Sequence, residues 1–315
     1  MLNNIAIIGA GNIGFRHFQG VLKNNITTKI YLVDPKVNDY KNKFLNQENV
    51  FNHEIFFYKD LKNLPKSLDF LICSTSASIR GKLVASILDN INVRYMLLEK
   101  VVFQLKNDFN DMISRINQSK TKVWVNCPQR TFKIYKLIKN KFRGKKFEMS
   151  SLGNGWNLAS NTVHALDLFC YLTDSYDVEF VESKFLNDII KSKRNGYFEL
   201  KGYTKIVNNN GTLILEDSLK YNYFRKIFIK VDNQQIEIDE TNNVVYSSMK
   251  QLDKKLKFPF QSDLTTDYIK DLNNKNSLDL VSLENCKKYH IPMLTAFNNK
   301  FSEIFEKKIE QCPIT

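Results

Sequence analysis

Several things are scarce or missing in this 315-residue chain, and each absence narrows what it can be. No apolar run approaches the ~20 residues of a membrane span, so no bilayer crossing is expected. The first apolar strand begins almost at Met1, which leaves no room for a signal peptide and makes the cytoplasm the expected compartment. The cysteines, Cys73, Cys127, Cys170, Cys286 and Cys312, are scattered, with no C-x-x-C and no His/Cys cluster. That argues against structural zinc and against a disulfide framework, so no metal is expected; Cys127 reads as a spectator thiol. There are no internal repeats, and no polar tract is long enough to be a disordered tail. A composition of 43% hydrophobic and 12% aromatic residues reads as globular, and the length suits two domains with ample core. The net charge of +13 raises the question of nucleic acid. The lysines, however, are spread along the chain among acids and asparagines, with only short runs such as 139–146. They read as a solvated surface whose positive field favours an anionic small-molecule substrate, not nucleic acid.

The most informative stretch is the first fourteen residues. Ile5, Ala6, Ile7 and Ile8 form an apolar run, and Gly9-Ala10-Gly11-Asn12-Ile13-Gly14 follows at once as G-x-G-x-x-G. Phe15, Phe18, Val21 and Leu22 then recur at helical spacing. Strand, tight turn and helix in this order suit a pyrophosphate. Gly9 permits the turn, Gly11 lets backbone approach the ligand, Gly14 lets helix pack on strand, and the helix N-terminus offers free N–H groups at Asn12 and Ile13. A second apolar run, Lys29 to Val33, ends in Asp34, where an acid would hold the ribose hydroxyls of NAD. A carboxylate there repels a 2′-phosphate, so NAD is favoured over NADP; nearby Lys36 keeps NADP as the alternative. The bland reading, a glycine turn without cofactor, needs five features to be in register by chance.

Up to Asn126 the chain alternates strands and helices. Strands are expected at Phe56–Tyr58, Asp69–Cys73, Val93–Leu98 and Lys122–Val125, a short helix or turn at Asp60–Leu64, and helices at Ile79–Leu88 and Phe109–Ile116. This is the pattern of a doubly wound parallel sheet, an α/β Rossmann domain assigned to residues 1–125. Ligands bind beyond the carboxyl ends of such strands. Gly9–Gly14, Asp34, Ser74, Thr75, Glu99 and Lys100 all fall there. Residues 126–315 read differently. Helices are expected at Thr131–Lys141, Thr162–Leu172, Phe260–Leu272 and Leu283–Phe305. Strands are expected at Phe147–Leu152, Val178–Phe185, Tyr197–Val207, Thr212–Leu215, Tyr221–Val231 and Gln235–Ile238, with a hairpin turn at Asn208–Gly211. This is an α+β domain with a large, mostly antiparallel open sheet, helices on one face, and a last helix free to pack back on the first domain.

Three segments carry a resemblance to the glucose-fructose oxidoreductase / inositol dehydrogenase (Gfo/Idh/MocA) family. They are the glycine run at the N-terminus, Leu98-Glu99-Lys100, which looks like the family's Glu-Lys-Pro motif, and His164-Ala165-Leu166-Asp167-Leu168, which is similar to its His-x-x-Asp helix start. The closing Ser282-Leu283-Glu284-Asn285 before a long helix also matches, so the resemblance spans nearly the whole chain. It implies an NAD-dependent oxidoreductase that moves a hydride to or from a secondary hydroxyl or ketone of a sugar or nucleotide-sugar, with surface polysaccharide synthesis as the expected context. Lys100 would bind the reacting oxygen and stabilise charge on it, and His164 would be the general acid/base. Glu99 would orient Lys100 or line the cofactor site. Arg130 is a candidate to bind a carboxylate or phosphate bidentately. Trp156 can stack on a sugar or simply pack in the core, and Asn157 and Asn161 can bond to hydroxyls. Asp167 joins this substrate-binding set, with a structural role as its alternative. A homodimer or homotetramer is implied by the resemblance alone. The rivals are a non-catalytic NAD- and sugar-binding regulator on the same fold, and an epimerase or lyase that uses NAD without net redox change. His17, His53 and His290 have no supporting neighbours in sequence.

Two residues depart from the family pattern. Val101 stands where proline is expected, and a non-proline peptide bond favours trans by ~2.5–4 kcal/mol. Ser160 stands where an aspartate often precedes the histidine, which leaves His164 without that carboxylate.

Overall fold

The computed structural model describes residues 1–218, 223–247, 249, 252 and 255–315. Two compact units divide the chain: residues 1–103, 107–126 and 259–283 form the first, and residues 104–106, 127–258 and 284–315 form the second.

In the first unit the chain runs β1 (Asn4–Ile8), α1 (Asn12–Leu22), β2 (Lys29–Val33), α2 (Val37–Leu45), β3 (Glu54–Tyr58), β4 (Ser67–Cys73), α3 (Ala77–Asn90), β5 (Asn92–Leu98), α4 (Lys106–Ser119) and β6 (Lys122–Val125). It enters the second unit with α5 (Lys133–Lys141), β7 (Phe147–Asn154), α6 (Leu158–Thr173), β8 (Glu179–Phe185), β9 (Ile190–Lys191), β10 (Phe198–Glu199), β11 (Gly202–Asn208), β12 (Gly211–Ser218), β13 (Phe224–Val231), β14 (Gln234–Asp239) and β15 (Val244–Ser247). It returns to the first unit with α7 (Gln261–Lys275) and β16 (Val281–Ser282), and ends in the second with α8 (Leu283–Ile304).

The first sheet has the order β16-β6-β5-β4-β1-β2-β3 and is parallel apart from β16, which pairs antiparallel with β6. Its central strands are apolar on both faces: Ile5, Ala6, Ile7, Phe70, Leu71, Ile72, Met96, Leu97 and Leu98 are fully buried. Such two-sided burial is what βαβ crossovers impose. Helix α2 had no expectation from the sequence, because only Val37 and Phe44 of it are buried and its apolar signal is thin.

The second sheet has the order β15-β14-β13-β7-β12-β11-β8; its pairs are antiparallel except β7 with β12. Burial alternates along its strands. Leu213 and Leu215 face the core while Glu216 is exposed, and Met149 is buried between Glu148 and Ser150. One face carries α6, and Phe297 of α8 packs edge-on against Phe180 and Phe185 of β8. The Asn208–Gly211 hairpin closes β11 on β12. The run Tyr197–Val207 is two strands rather than one. Gly202 sits at φ +121°, and a Cβ there would lie 2.3 Å from the Lys184 carbonyl oxygen. Of the expected strand Tyr221–Val231, Tyr221 and Asn222 lie outside the described residues, and β13 begins at Phe224.

The division of the chain differs from a single cut after residue 125. The first boundary falls between Asn126 and Cys127, but residues 259–283 belong to the first unit, and the helix that returns there is α7, not the last one. The reason is close packing at a glycine. Gly20 of α1 lets α7 approach until a Cβ would stand 2.4 Å from the Ser262 carbonyl oxygen, and the Thr266 hydroxyl donates to the Gly20 carbonyl at 2.9 Å. Among the described residues no helix is long and apolar enough to cross a membrane.

Candidate active site

In the first unit, the ends of β1, β2, β4 and β5 lie side by side, and their loops carry every nucleotide-site candidate and Lys100. Gly9 adopts φ +98°, open to glycine but costly to other residues. A Cβ on Gly14 would lie 1.9 Å from the Gly9 carbonyl oxygen, so helix and turn meet only because it is absent. Gly11 is different: a Cβ there meets no protein atom within 4 Å. The protein's own packing does not call for glycine at Gly11, whereas a pyrophosphate approaching the main chain would. Gly11 is also the N-cap of α1, with no side-chain cap and no acid in the first turn, so Asn12 and Ile13 open a helix whose N–H groups suit an anion. These features fit a dinucleotide pyrophosphate.

Asp34 follows β2 and is half-buried. One carboxylate oxygen accepts the Ala10 N–H at 2.9 Å and the other the Lys36 N–H at 2.8 Å, so the acid expected to hold the ribose hydroxyls also braces the glycine loop. The Ser74 hydroxyl donates to the Gly9 carbonyl at 2.8 Å. Thr75 follows in the same loop, its hydroxyl 3.5 Å from the Cys73 thiol.

Glu99 is buried, not open to a ligand. Its Oε1 faces His17 Nε2 at 2.9 Å and accepts from the Asn126 amide at 2.5 Å. His17 Nδ1 stands 2.8 Å from the Thr265 hydroxyl, which itself donates to the Gln261 carbonyl, and Tyr268 donates to Asn126 at 3.1 Å. His17, bland in sequence, thus joins α1, β5 and α7; the signal that was present is its place one turn before the apolar Val21 of α1. Burial alone would push the Glu99 carboxyl up, but His17, Asn126 and the nearby Arg80 charge outweigh it and hold it below the usual glutamate range. A depressed folded-state pKa contributes stability above the unfolded value, lost as pH falls through the folded one. Stability of the first unit is therefore expected to drop on acidification below roughly pH 4.3. In Glu99→Gln that part of the pH dependence should flatten, as denaturant melts across pH would show.

Lys100 follows Glu99 and is half-buried. The Lys100–Val101 peptide is cis, not trans as expected for a non-proline residue. Local preference yields here to tertiary bonding. The buried Arg80 guanidinium, which sequence reading missed, donates to the carbonyls of Glu99 at 2.6 Å and Val102 at 2.9 Å, and also to those of Val101 and Thr75.

In the second unit, Trp156, Asn157, Asn161 and His164 share one loop and helix start. Trp156 is only 2% exposed. Its indole N–H donates to the Glu216 carbonyl at 2.8 Å, and the Arg225 guanidinium lies 4.9 Å over its ring, so it is packed rather than offered for stacking. Asn157 is exposed and left-handed at φ +61°, and Asn161 donates to the Trp156 carbonyl at 2.6 Å. Along α6 every residue is buried except Asn161, His164 and Tyr171, which puts the imidazole on the helix's one open stripe. Two carboxylates missed in sequence hold the start of α6: Asp217 accepts the Gly155 N–H at 2.6 Å, and Glu199 accepts the Ser160 N–H at 3.1 Å. Burial pushes the Asp217 carboxyl up, while the Gly155 bond and the Lys201 charge pull it back.

Arg130 and Asp167 are brought together, but with each other. Arg130 Nε and Nη2 donate to the two Asp167 oxygens at 2.9 and 2.8 Å, and Tyr289 donates to Asp167 at 3.0 Å. Both are buried, and Tyr171 and Tyr176 lie against the guanidinium. With its fork filled, Arg130 serves the fold, and Asp167 takes its structural alternative; burial pushes the Asp167 carboxyl up and Arg130 pulls it back. Among the described residues no group of three or more His, Cys, Asp or Glu is placed to hold a metal, and all five cysteines are buried free thiols.

A unit built on a largely parallel sheet, followed by a unit built on a mostly antiparallel sheet, is an architecture this chain shares with solved dehydrogenases of the Gfo/Idh/MocA type. No family model and no curated protein matches the sequence. Solved structures do match in fold. The WlbA dehydrogenase from Chromobacterium violaceum, described in complex with NADH and UDP-GlcNAcA, superposes with a TM-score of 0.72 at 14% identity, over 96% of this chain and 94% of its own. UDP-N-acetylglucosamine 3-dehydrogenase GnnA from Acidithiobacillus ferrooxidans gives 0.68 at 13%, over 94% and 97%. A super-repressor mutant of Gal80p from Saccharomyces cerevisiae gives 0.68 at 12%, over 96% and 97%.

Proposed function

We propose that this chain is an NAD-dependent oxidoreductase of the Gfo/Idh/MocA type, acting on a secondary hydroxyl or ketone of a sugar or nucleotide-sugar derivative. The observation that carries the reading is the set of adjacent strand ends in the first unit: an uncapped helix N-terminus behind Gly11, the Asp34 carboxylate, and Lys100 two strands away from the glycine loop. Gly11, Asn12 and Ile13 bind the pyrophosphate through backbone N–H groups, and Asp34 takes the ribose hydroxyls and disfavours a 2′-phosphate. When bound, the nicotinamide supplies the hydride acceptor or donor. Lys100 binds the substrate oxygen through its ammonium and lowers the energy of charge building there. His164 takes or returns the hydroxyl proton at its imidazole. Asn157 and Asn161 orient the substrate's hydroxyls. The net charge of +13 favours an anionic substrate; one fold neighbour is named for UDP-N-acetylglucosamine and another is described in complex with UDP-GlcNAcA. A cytoplasmic role in surface polysaccharide synthesis and assembly as a dimer or tetramer complete the proposal.

The test is calorimetric titration with NAD and NADP, then turnover with a panel of UDP-sugars and sugar acids followed by absorbance of the reduced nicotinamide. Tighter binding of NAD and turnover of at least one acidic or nucleotide sugar are expected. Gly14→Ala should cost about 1–3 kcal/mol of first-unit stability and weaken NAD about tenfold or more, because its methyl displaces the Gly9 carbonyl. His164→Ala should lower turnover by about 10²–10⁴ with NAD binding near normal. A second reading is a ligand-sensing regulator without turnover, favoured by the Gal80p likeness. NAD and sugar binding with no absorbance change across the panel would select it.

A further inference from the structure

Arg80 has no place in the chemistry proposed above, yet its surroundings are unusual for a surface-helix arginine. It sits in the first turn of α3 with 1% of its surface exposed. A cation buried to that degree is costly unless its donors are used. Nη1 reaches the carbonyls of Glu99, Val101 and Val102, the main-chain oxygens flanking Lys100, while Nη2 reaches the carbonyl of Thr75. Thr75 and Ser74 are in turn the wall against which Gly9 turns, since a Cβ on Gly9 would lie 2.9 Å from the Ser74 carbonyl carbon and the Thr75 nitrogen. One planar fork therefore ties the loop beside the glycine turn to the loop that carries Lys100. On its other side Glu99 is held by its carboxylate to His17 and Asn126. Residue 99 is thus gripped by main chain and side chain alike, immediately before the lysine.

We infer that Arg80 is a positioning residue that sets where Lys100 stands relative to the glycine loop. This rests on the reading of Lys100 as the group that binds the substrate oxygen. Two terminal nitrogens directed at two loops need a guanidinium. A lysine at this position is a single point donor and can hold only one loop well. The effect passes through backbone placement, so it should be selective. An error of about 1 Å in a reacting group costs on the order of 100-fold in rate, whereas the helix N-terminus that would take the pyrophosphate does not involve Arg80.

The experiment compares Arg80→Met, Arg80→Lys and a packing control on the same helix, Val84→Ala, which also removes buried atoms from α3. Each is measured for NAD affinity, for kcat and KM, and for the ¹³C-methyl NMR signal of Lys100 after reductive methylation, assigned by its loss in Lys100→Arg. Arg80→Met is expected to lower kcat by roughly 100-fold, keep NAD affinity within a few-fold, and shift or broaden the Lys100 signal. Arg80→Lys should recover part of the rate, and Val84→Ala should leave both rate and signal near wild type. If Arg80→Met does not fold, the Arg80→Lys rate and signal decide. An unchanged Lys100 signal in the Arg80 variants, or an equal kcat loss in Val84→Ala, overturns the inference. If Lys100→Ala retains full turnover the role of Lys100 fails on its own, and if no substrate turns over the proposed function fails on its own; in both cases the Lys100 signal still decides whether Arg80 places that residue.

Discussion

Replacing Lys100 with alanine is expected to lower turnover by about two to three orders of magnitude while NAD affinity stays within a few-fold. The size follows from the loss of a charged donor at an oxygen where charge develops, in a half-buried position where water replaces it poorly. The selectivity follows from the fold: the glycine loop, the Asp34 brace and the Ser74 bond to Gly9 do not depend on the ammonium. Lys100→Arg keeps a positive charge but spreads it over a plane, and should recover only a small part of the rate. Turnover assays beside calorimetric titration separate the two effects. A full-rate Lys100→Ala enzyme would remove the ammonium from the reaction.

The second large effect is on stability. Asp167→Ala should destabilise the second unit by about 3–5 kcal/mol, because it strands the buried Arg130 guanidinium without its bidentate partner. Arg130→Met should cost a comparable amount by stranding the carboxylate. The double variant Arg130→Met with Asp167→Leu should be less damaged than either single change, since two apolar groups leave no charge unpaired. The two tryptophans make this measurable by unit: Trp124 lies in the first and Trp156 in the second. In a Trp124→Phe background, urea melts followed by fluorescence report the second unit alone. Additive losses in the double variant would show that the pair is not coupled as the geometry implies.

Arg130 also shows where reading along a chain stops. An arginine near a domain boundary carries the same local signature whether it awaits a ligand or a partner inside the fold. Asp167, 37 positions away, is the residue that answers the question. Trp156 is similar, since a loop tryptophan can stack on a sugar or pack inward, and the Glu216 carbonyl and Arg225 settle it from strands 60 or more residues further on. The apolar neighbours of His17 in α1 point to burial but name no partner; its partners Glu99 and Thr265 come from the end of β5 and from α7.

Short-range features were legible because their physics is short-range. The glycine spacing, the acid at the end of β2, the apolar runs of the parallel strands and the alternation of the second sheet each express backbone geometry or burial over a few residues. They carried the α/β class, the hairpin at Asn208–Gly211 and the order of the loops at the carboxyl ends of the parallel strands. The return of residues 259–283 to the first unit, the Arg80 fork across two loops and the Arg130–Asp167 pair lie beyond such reading. Each depends on which distant groups are left to satisfy a buried charge or fill a glycine's gap, and that is known only once the chain has closed on itself.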